Sequence, residues 1–114
     1  MRRRIALLGA AAVMLVSSSV LFADPPDIII LSKPKVFGSL SRPPVRFTHG
    51  HHMSAKGVSC FDCHHMGDTV RCEVCHTTPR SLQLAFHTSC ITCHDKEKKA
   101  GRATGPRACG ECHQ

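Results

Sequence analysis

The sequence predicts a small, mostly irregular chain with short α-helices and an N-terminal two-stranded β ribbon, folded about something other than an apolar core of its own. Three observations predict it. The text beyond residue 55 is broken repeatedly by Gly, Pro and Thr, and no amphipathic period is sustained beyond about ten residues. Large apolar side chains are scarce, with no Trp, no Tyr and five Phe in 114 residues. All eight cysteines fall in four identical five-residue frames, each closed by a histidine.

The frames are Cys60-Phe-Asp-Cys63-His64, Cys72-Glu-Val-Cys75-His76, Cys90-Ile-Thr-Cys93-His94 and Cys109-Gly-Glu-Cys112-His113. C-x-x-C-H is the attachment signature of c-type haem: two thiols become thioethers on the haem vinyl groups and the adjacent imidazole is the proximal iron ligand. Paired C-x-x-C runs also build Cys₄ zinc sites, but zinc leaves the histidine after every pair unexplained. Four disulfides would be strained within C-x-x-C, where a bridge is usually catalytic rather than structural. The reading is therefore a small multihaem cytochrome, its chain wrapped around four covalent haems (haem c, iron), and without haem it is expected to be unfolded.

Taken in order, residues 1–23 read as a secretory signal: basic Arg2 to Arg4, an apolar run from Ile5 to Val16, and small residues ending at Ala23. The run is too short to span a bilayer comfortably. An uncleaved anchor is the alternative, since Leu21 is bulky for a position two before a cleavage site. Haem c is attached after translocation, so export of the unfolded chain through the Sec route to the periplasm is expected, with no stable membrane insertion after cleavage. Removing 23 of the 114 residues leaves one domain, residues 24–114, of 91 residues. Ile28 to Leu31 and Val45 to Phe47 are the two strands, joined by a turn-rich stretch holding Pro34, Gly38, Pro43 and Pro44. Short helices are expected under each attachment frame. "PRSLQLAFHTSCITCH" is the best helix, with Ser81 as its cap and Leu82, Leu84, Ala85 and Phe86 on its apolar side.

Charge excludes little. The leader takes three of fifteen basic residues and none of eight acids, leaving +4, and four oxidised haems with their propionates add about −4. A near-neutral holoprotein gives no ground for nucleic-acid binding. Lys96, Lys98, Lys99, Arg102 and Arg107 cluster between the third and fourth frames; they read either as a solvated loop or as a docking patch for an acidic redox partner.

Nine histidines are present and four are proximal, leaving His49, His51, His52, His65 and His87 for the opposite faces of the irons. Five imidazoles meet four positions. With imidazole on both sides every iron is low spin and closed to substrate, which is a carrier and not an enzyme. Met53 and Met66 are the alternative sixth ligands and read instead as packing residues.

The order F-x-H-x-x-H, C-x-x-C-H-H, C-x-x-C-H, a lone His before a third C-x-x-C-H, and "GPRACGECH" resembles the class III cytochromes c, the tetrahaem cytochrome c-three group. "FGSLSRPPVRFTHGHH" and "LAFHTSCITCH" are more similar to its type II branch. The resemblance covers almost all of residues 27 to 113. It implies four bis-histidine haems, low-potential periplasmic electron transfer in anaerobic sulfate respiration, and redox partners such as hydrogenase or a transmembrane electron-transfer complex. By position it gives His49 as distal ligand at the first site, His65 at the second, His52 at the third and His87 at the fourth, with His51 surplus. The rival from another class is a small multihaem reductase of metals or oxyanions with one open iron.

Overall fold

The computed structural model describes residues 24–67 and 69–114; the expected leader, 1–23, lies outside them. β1 (Ile28–Leu31) and β2 (Val45–Thr48) form an antiparallel ribbon in which Ile28 faces Thr48 and Leu31 faces Val45. β1 matches the sequence reading and β2 runs one residue further. The connection carries a helical turn, α1 (Pro34–Phe37), that the sequence reading did not anticipate. Its N-cap is Lys33, at φ 43° and ψ 54°, the left-handed region that a side chain disfavours. Pro34 already excludes the right-handed helical region for its predecessor, and the Lys33 Nζ donates to Glu73 Oε1 at 2.7 Å, anchoring the residue.

β2 passes directly into α2 (His49–Ser54). No apolar period marks this segment, and tertiary contact makes it. The Gly50 amide donates to the Asp27 carbonyl at 3.0 Å, and a Cβ on Gly50 would collide with the Asp27 side chain. Only glycine lets the helix dock so closely on the start of β1.

The attachment frames are short turns, as expected. α3 (Cys60–Cys63), a 3-10 turn (Cys72–Val74) and α5 (Cys109–Cys112) carry three of them, and the fourth lies inside α4 (Pro79–Lys99). Acidic residues within two frames cap their own helices. Asp62 Oδ2 accepts from the Ser59 amide at 2.7 Å, and Glu111 Oε2 accepts from the Ala108 and Arg107 amides at 2.9 Å each.

α4 is longer than the stretch read as its core, and its cap differs. Thr78, not Ser81, is the N-cap: Thr78 Oγ1 accepts from the Ser81 amide and Ser81 Oγ accepts from the Thr78 amide, both at 3.2 Å. Pro79 is the cause, because its fixed φ and missing amide suit the first helical position and pull the start three residues earlier. The helix then continues past His94 to Lys99, where lysines complement its C-terminal partial charge. Gly101, at φ 69°, closes it as a left-handed cap, with the Arg102 amide donating to the Glu97 carbonyl and the Gly101 amide to Lys98, both at 3.0 Å. The basic segment is thus mostly helix end rather than loop.

The expected poverty of the core is evident. Leu82, on α4, is the single fully buried hydrophobic side chain among the described residues. Phe61, Met66, Val74 and Leu84 are each more than half exposed. Apolar surface of this extent on a chain this small calls for a large apolar partner.

Candidate haem-binding site

Each attachment frame outside α4 makes the same turn. The amides of His64, His76 and His113 donate to the carbonyls of Cys60, Cys72 and Cys109 at 2.8, 2.9 and 2.9 Å. This bond places the first thiol and the imidazole one helical turn apart on one face, while the second thiol sits beside the ring. All eight cysteines are free, and each is exposed or half-buried. Where the thiols shift, they shift upward. Burial pushes Cys90 up to about 11, with Cys63, Cys112 and Cys72 adding to it; burial likewise raises Cys63, Cys72 and Cys112.

The second nitrogen of three proximal-type rings is fixed by backbone. The Nδ1 of His64 lies 2.9 Å from the Val70 carbonyl, that of His94 2.6 Å from Pro106, and that of His113 2.7 Å from Pro43. A carbonyl can only accept, so each Nδ1 carries the proton and each Nε2 presents a lone pair, the tautomer a metal requires.

The imidazoles meet in pairs. The His49 and His64 ring centroids are 6.5 Å apart with planes at 89°, and those of His52 and His94 are 6.2 Å apart with planes at 29°. With metal–nitrogen bonds of about 2 Å and a centroid about 1.1 Å behind each nitrogen, two rings sharing one metal stand about 6.2 Å apart. Both pairs match that separation. Among the described residues no group of three or more His, Cys, Asp or Glu is drawn together as a metal cage; the arrangement suits an ion whose equatorial ligands come from elsewhere, as in a porphyrin.

α2 separates His49 and His52 from His51. Residues three apart share a helix face, whereas His51 is turned away from both by one or two residues of rotation. It is exposed and meets His52 edge-on at 5.9 Å. The aromatic that opens F-x-H-x-x-H also acquires a role: the Phe47 ring lies 4.6 Å from that of His52 and 5.8 Å from that of His49, walling both.

The remaining candidates are less assembled. His65 and His76 line one small cleft together with Cys72 and Cys75. His87 is exposed on α4, two turns before His94 and on the same face, about 10 Å along the axis. The sequence reading had missed the carbonyls of Val70, Pro106 and Pro43, the Phe47 wall and the Lys33–Glu73 link; only Phe47 had a sequence signal, its place in the motif. Of the five basic residues, Arg102 is paired with Glu97 and Arg107 with Asp95, at 2.5 and 2.7 Å, which leaves Lys96, Lys98 and Lys99 as the three of these five without an ion pair to a described residue.

Comparison with known proteins points the same way. A model of the class III cytochrome c family matches residues 26–113. Cytochrome c3 of Maridesulfovibrio salexigens is 34% identical over 109 residues, taking in 79% of this chain and 95% of that one. The high-molecular-weight cytochrome c of Nitratidesulfovibrio vulgaris is 32% identical over 96 residues, and there the match spans 76% of this chain and 18% of the relative. Among solved structures, the di-tetraheme cytochrome c3 of Desulfovibrio gigas matches with a TM-score of 0.63 at 30% identity, over 81% of this chain and 99% of that chain. Four frames for thioether attachment, imidazoles paired at the spacing of a shared metal, and a family match over nearly all the described residues lead to one conclusion: the chain belongs to the class III cytochrome c family, as a multihaem electron carrier.

Proposed function

We propose that the protein is a periplasmic, low-potential carrier holding four haems, each by two thioethers and two imidazoles. Cys60 and Cys63 with His64 and His49 form the first site; Cys72 and Cys75 with His76 and His65 the second. Cys90 and Cys93 with His94 and His52 form the third, and Cys109 and Cys112 with His113 and His87 the fourth. The observation that carries this reading is the separation of the two imidazole pairs, 6.5 and 6.2 Å. Bound haem supplies reversible one-electron chemistry. The histidines would hold the group from both sides, four of them (His52, His64, His94 and His113) with Nδ1 set against a backbone carbonyl, and neighbouring sites would share helices: α2 the first and third, α4 the third and fourth.

Low potential is supported by imidazole on both sides and by the exposure of so small a chain. Export by the Sec route, with cleavage after Ala23, follows from the leader; no helix among the described residues is long and apolar enough to cross a membrane. The partners proposed are redox proteins such as hydrogenase or a transmembrane electron-transfer complex, met through the lysines at the end of α4. One sample tests the reading. Its mass should equal residues 24–114 plus four haems, and its paramagnetic resonance should be wholly low spin. Three haems, or a high-spin iron in the native protein, would overturn it.

A further inference from the structure

The first and third imidazole pairs are not equivalent, and the difference rests on residues outside the ligand set. At the third pair both rings donate to backbone: His94 Nδ1 to the Pro106 carbonyl at 2.6 Å and His52 Nδ1 to the Thr48 carbonyl at 2.8 Å. At the first pair His64 donates to Val70 at 2.9 Å, while the buried Nδ1 of His49 has no partner among the described residues. An imidazole whose N–H is drawn toward a carbonyl is the more basic and gives more charge to its metal.

The His94 side of the third pair is built by a three-residue segment. Thr104 Oγ1 donates to the His94 carbonyl at 2.8 Å, and Pro106 supplies the acceptor for Nδ1. Between them Gly105 passes so close to the ring that a Cβ would lie 2.5 Å from Cε1 and 2.8 Å from Nε2 of His94. Ion pairing of Arg107 with Asp95 at 2.7 Å fastens the next residue on each side. The segment therefore sets the ring's height, its rotation and the charge on its metal-facing nitrogen, without touching a metal itself.

We infer that Thr104, Gly105 and Pro106 are a positioning segment for His94, and that with the His52–Thr48 bond they make the third iron a more reluctant electron acceptor than the first. Electrons entering the protein fill the first site before the third, and the direction of flow between the two sites on α2 is set by hydrogen bonds to the ligands rather than by the ligands' identity. This rests on the axial pairs proposed above.

The two sites can be told apart in the holoprotein. Near-parallel imidazole planes, as at 29°, give a rhombic low-spin resonance, and near-perpendicular planes, as at 89°, give a strongly anisotropic one with a single large g value. A redox titration followed by paramagnetic resonance should show the anisotropic signal disappearing first as the potential falls. Gly105→Ala should shift the rhombic signal and make that iron easier to reduce, raising its reduced-to-oxidised ratio at a fixed potential by several-fold, with the anisotropic signal unchanged. Thr104→Val, which adds no clash, should act in the same direction by a smaller factor and serves if Gly105→Ala fails to assemble. Simultaneous loss of both signals in the parent, or variants that leave the rhombic iron's ratio unaltered, would overturn the inference while leaving the ligand pairs intact. A parent lacking these two low-spin signals would overturn the pairs themselves.

Discussion

His49 with His64 and His52 with His94 already stand in pairs, their ring centroids 6.5 and 6.2 Å apart. At the second and fourth sites, the distal candidates His65 and His87 are exposed; His65 shares only a cleft with its frame, and His87 lies on α4 while the fourth frame is on α5. The difference follows α2. That helix is pinned to the ribbon through Gly50 and Asp27 and walled by Phe47, so both its useful histidines are held before any partner arrives. His65 stands in a turn after its own attachment frame, and His87 is on α4 whereas the fourth frame is on α5. The imidazoles come together where one half of the pair is held on α2.

The strongest way to break this comparison is to remove one half of a complete pair. His49→Ala and His52→Ala should each turn one iron in four high spin and open it to carbon monoxide, seen as new absorption and a ligand-induced shift. His51→Ala should change neither. High-spin character in the His51 variant would mean that the register on α2 is misassigned.

Phe47→Ala should disturb both complete pairs together and leave the other two sites alone. The ring is half-buried, so the stability cost should fall below the range for a fully buried aromatic truncation, at about 2 kcal/mol in denaturant unfolding. Paramagnetic signals of the two complete pairs should broaden, while unaltered signals with unaltered stability would show that the wall is incidental.

Lys33→Met probes the second site instead, where the ion pair to Glu73 ties the ribbon turn to the attachment frame. With both side chains less than a quarter exposed, loss of the pair should cost about 1 kcal/mol. Burial acts to raise the Glu73 carboxyl, but the Lys33 hydrogen bond outweighs it and the net shift is downward. A carboxyl held below its ordinary value stabilises the fold above that value and ceases to do so as pH falls through the lowered one. Parent and variant should therefore differ at neutral pH and converge below about pH 4; a difference that persists into acid would assign the effect to packing.

The smallest effect concerns the end of α4 near the fourth site. Reversing Lys98 and Lys99 to Glu should slow reduction by an acidic donor several-fold at low ionic strength, with the difference fading as salt shortens the screening length toward about 8 Å. Potentials and spectra should not move. Equal rates at low salt would place the entry point at another site.

Much of this molecule was legible in its sequence because its constraints are local. The C-x-x-C-H frames declare chemistry within five residues, and Ile28 to Leu31 and Val45 to Phe47 alternate with turn residues that delimit them. α2 was illegible for the opposite reason: "HGHHMS" has neither an apolar period nor a cap, and its helix is docked by the Gly50 amide donating to Asp27, a residue 23 positions away just before β1. Thr78 went unread although T-P-x-S carries the signal, Pro at the first helical position having more authority over the start than the serine beyond it. The matching of His49 with His64 and His52 with His94 rested on resemblance, since no spacing in the chain states which rings will meet.

The His113–Pro43 bond, 2.7 Å long, joins residues 70 positions apart, while His64 reaches the Val70 carbonyl across six. Closing the longer loop costs about 2 kcal/mol more in chain entropy. Assembly consequently has an order: the first frame can orient its imidazole as soon as a few residues around it exist, whereas the fourth must wait for the ribbon turn to be in place. Amide exchange around Pro43 and His113 should be the earliest to report loosening, and a maturation fault that delays the ribbon should leave the fourth haem misoriented while the first is already set.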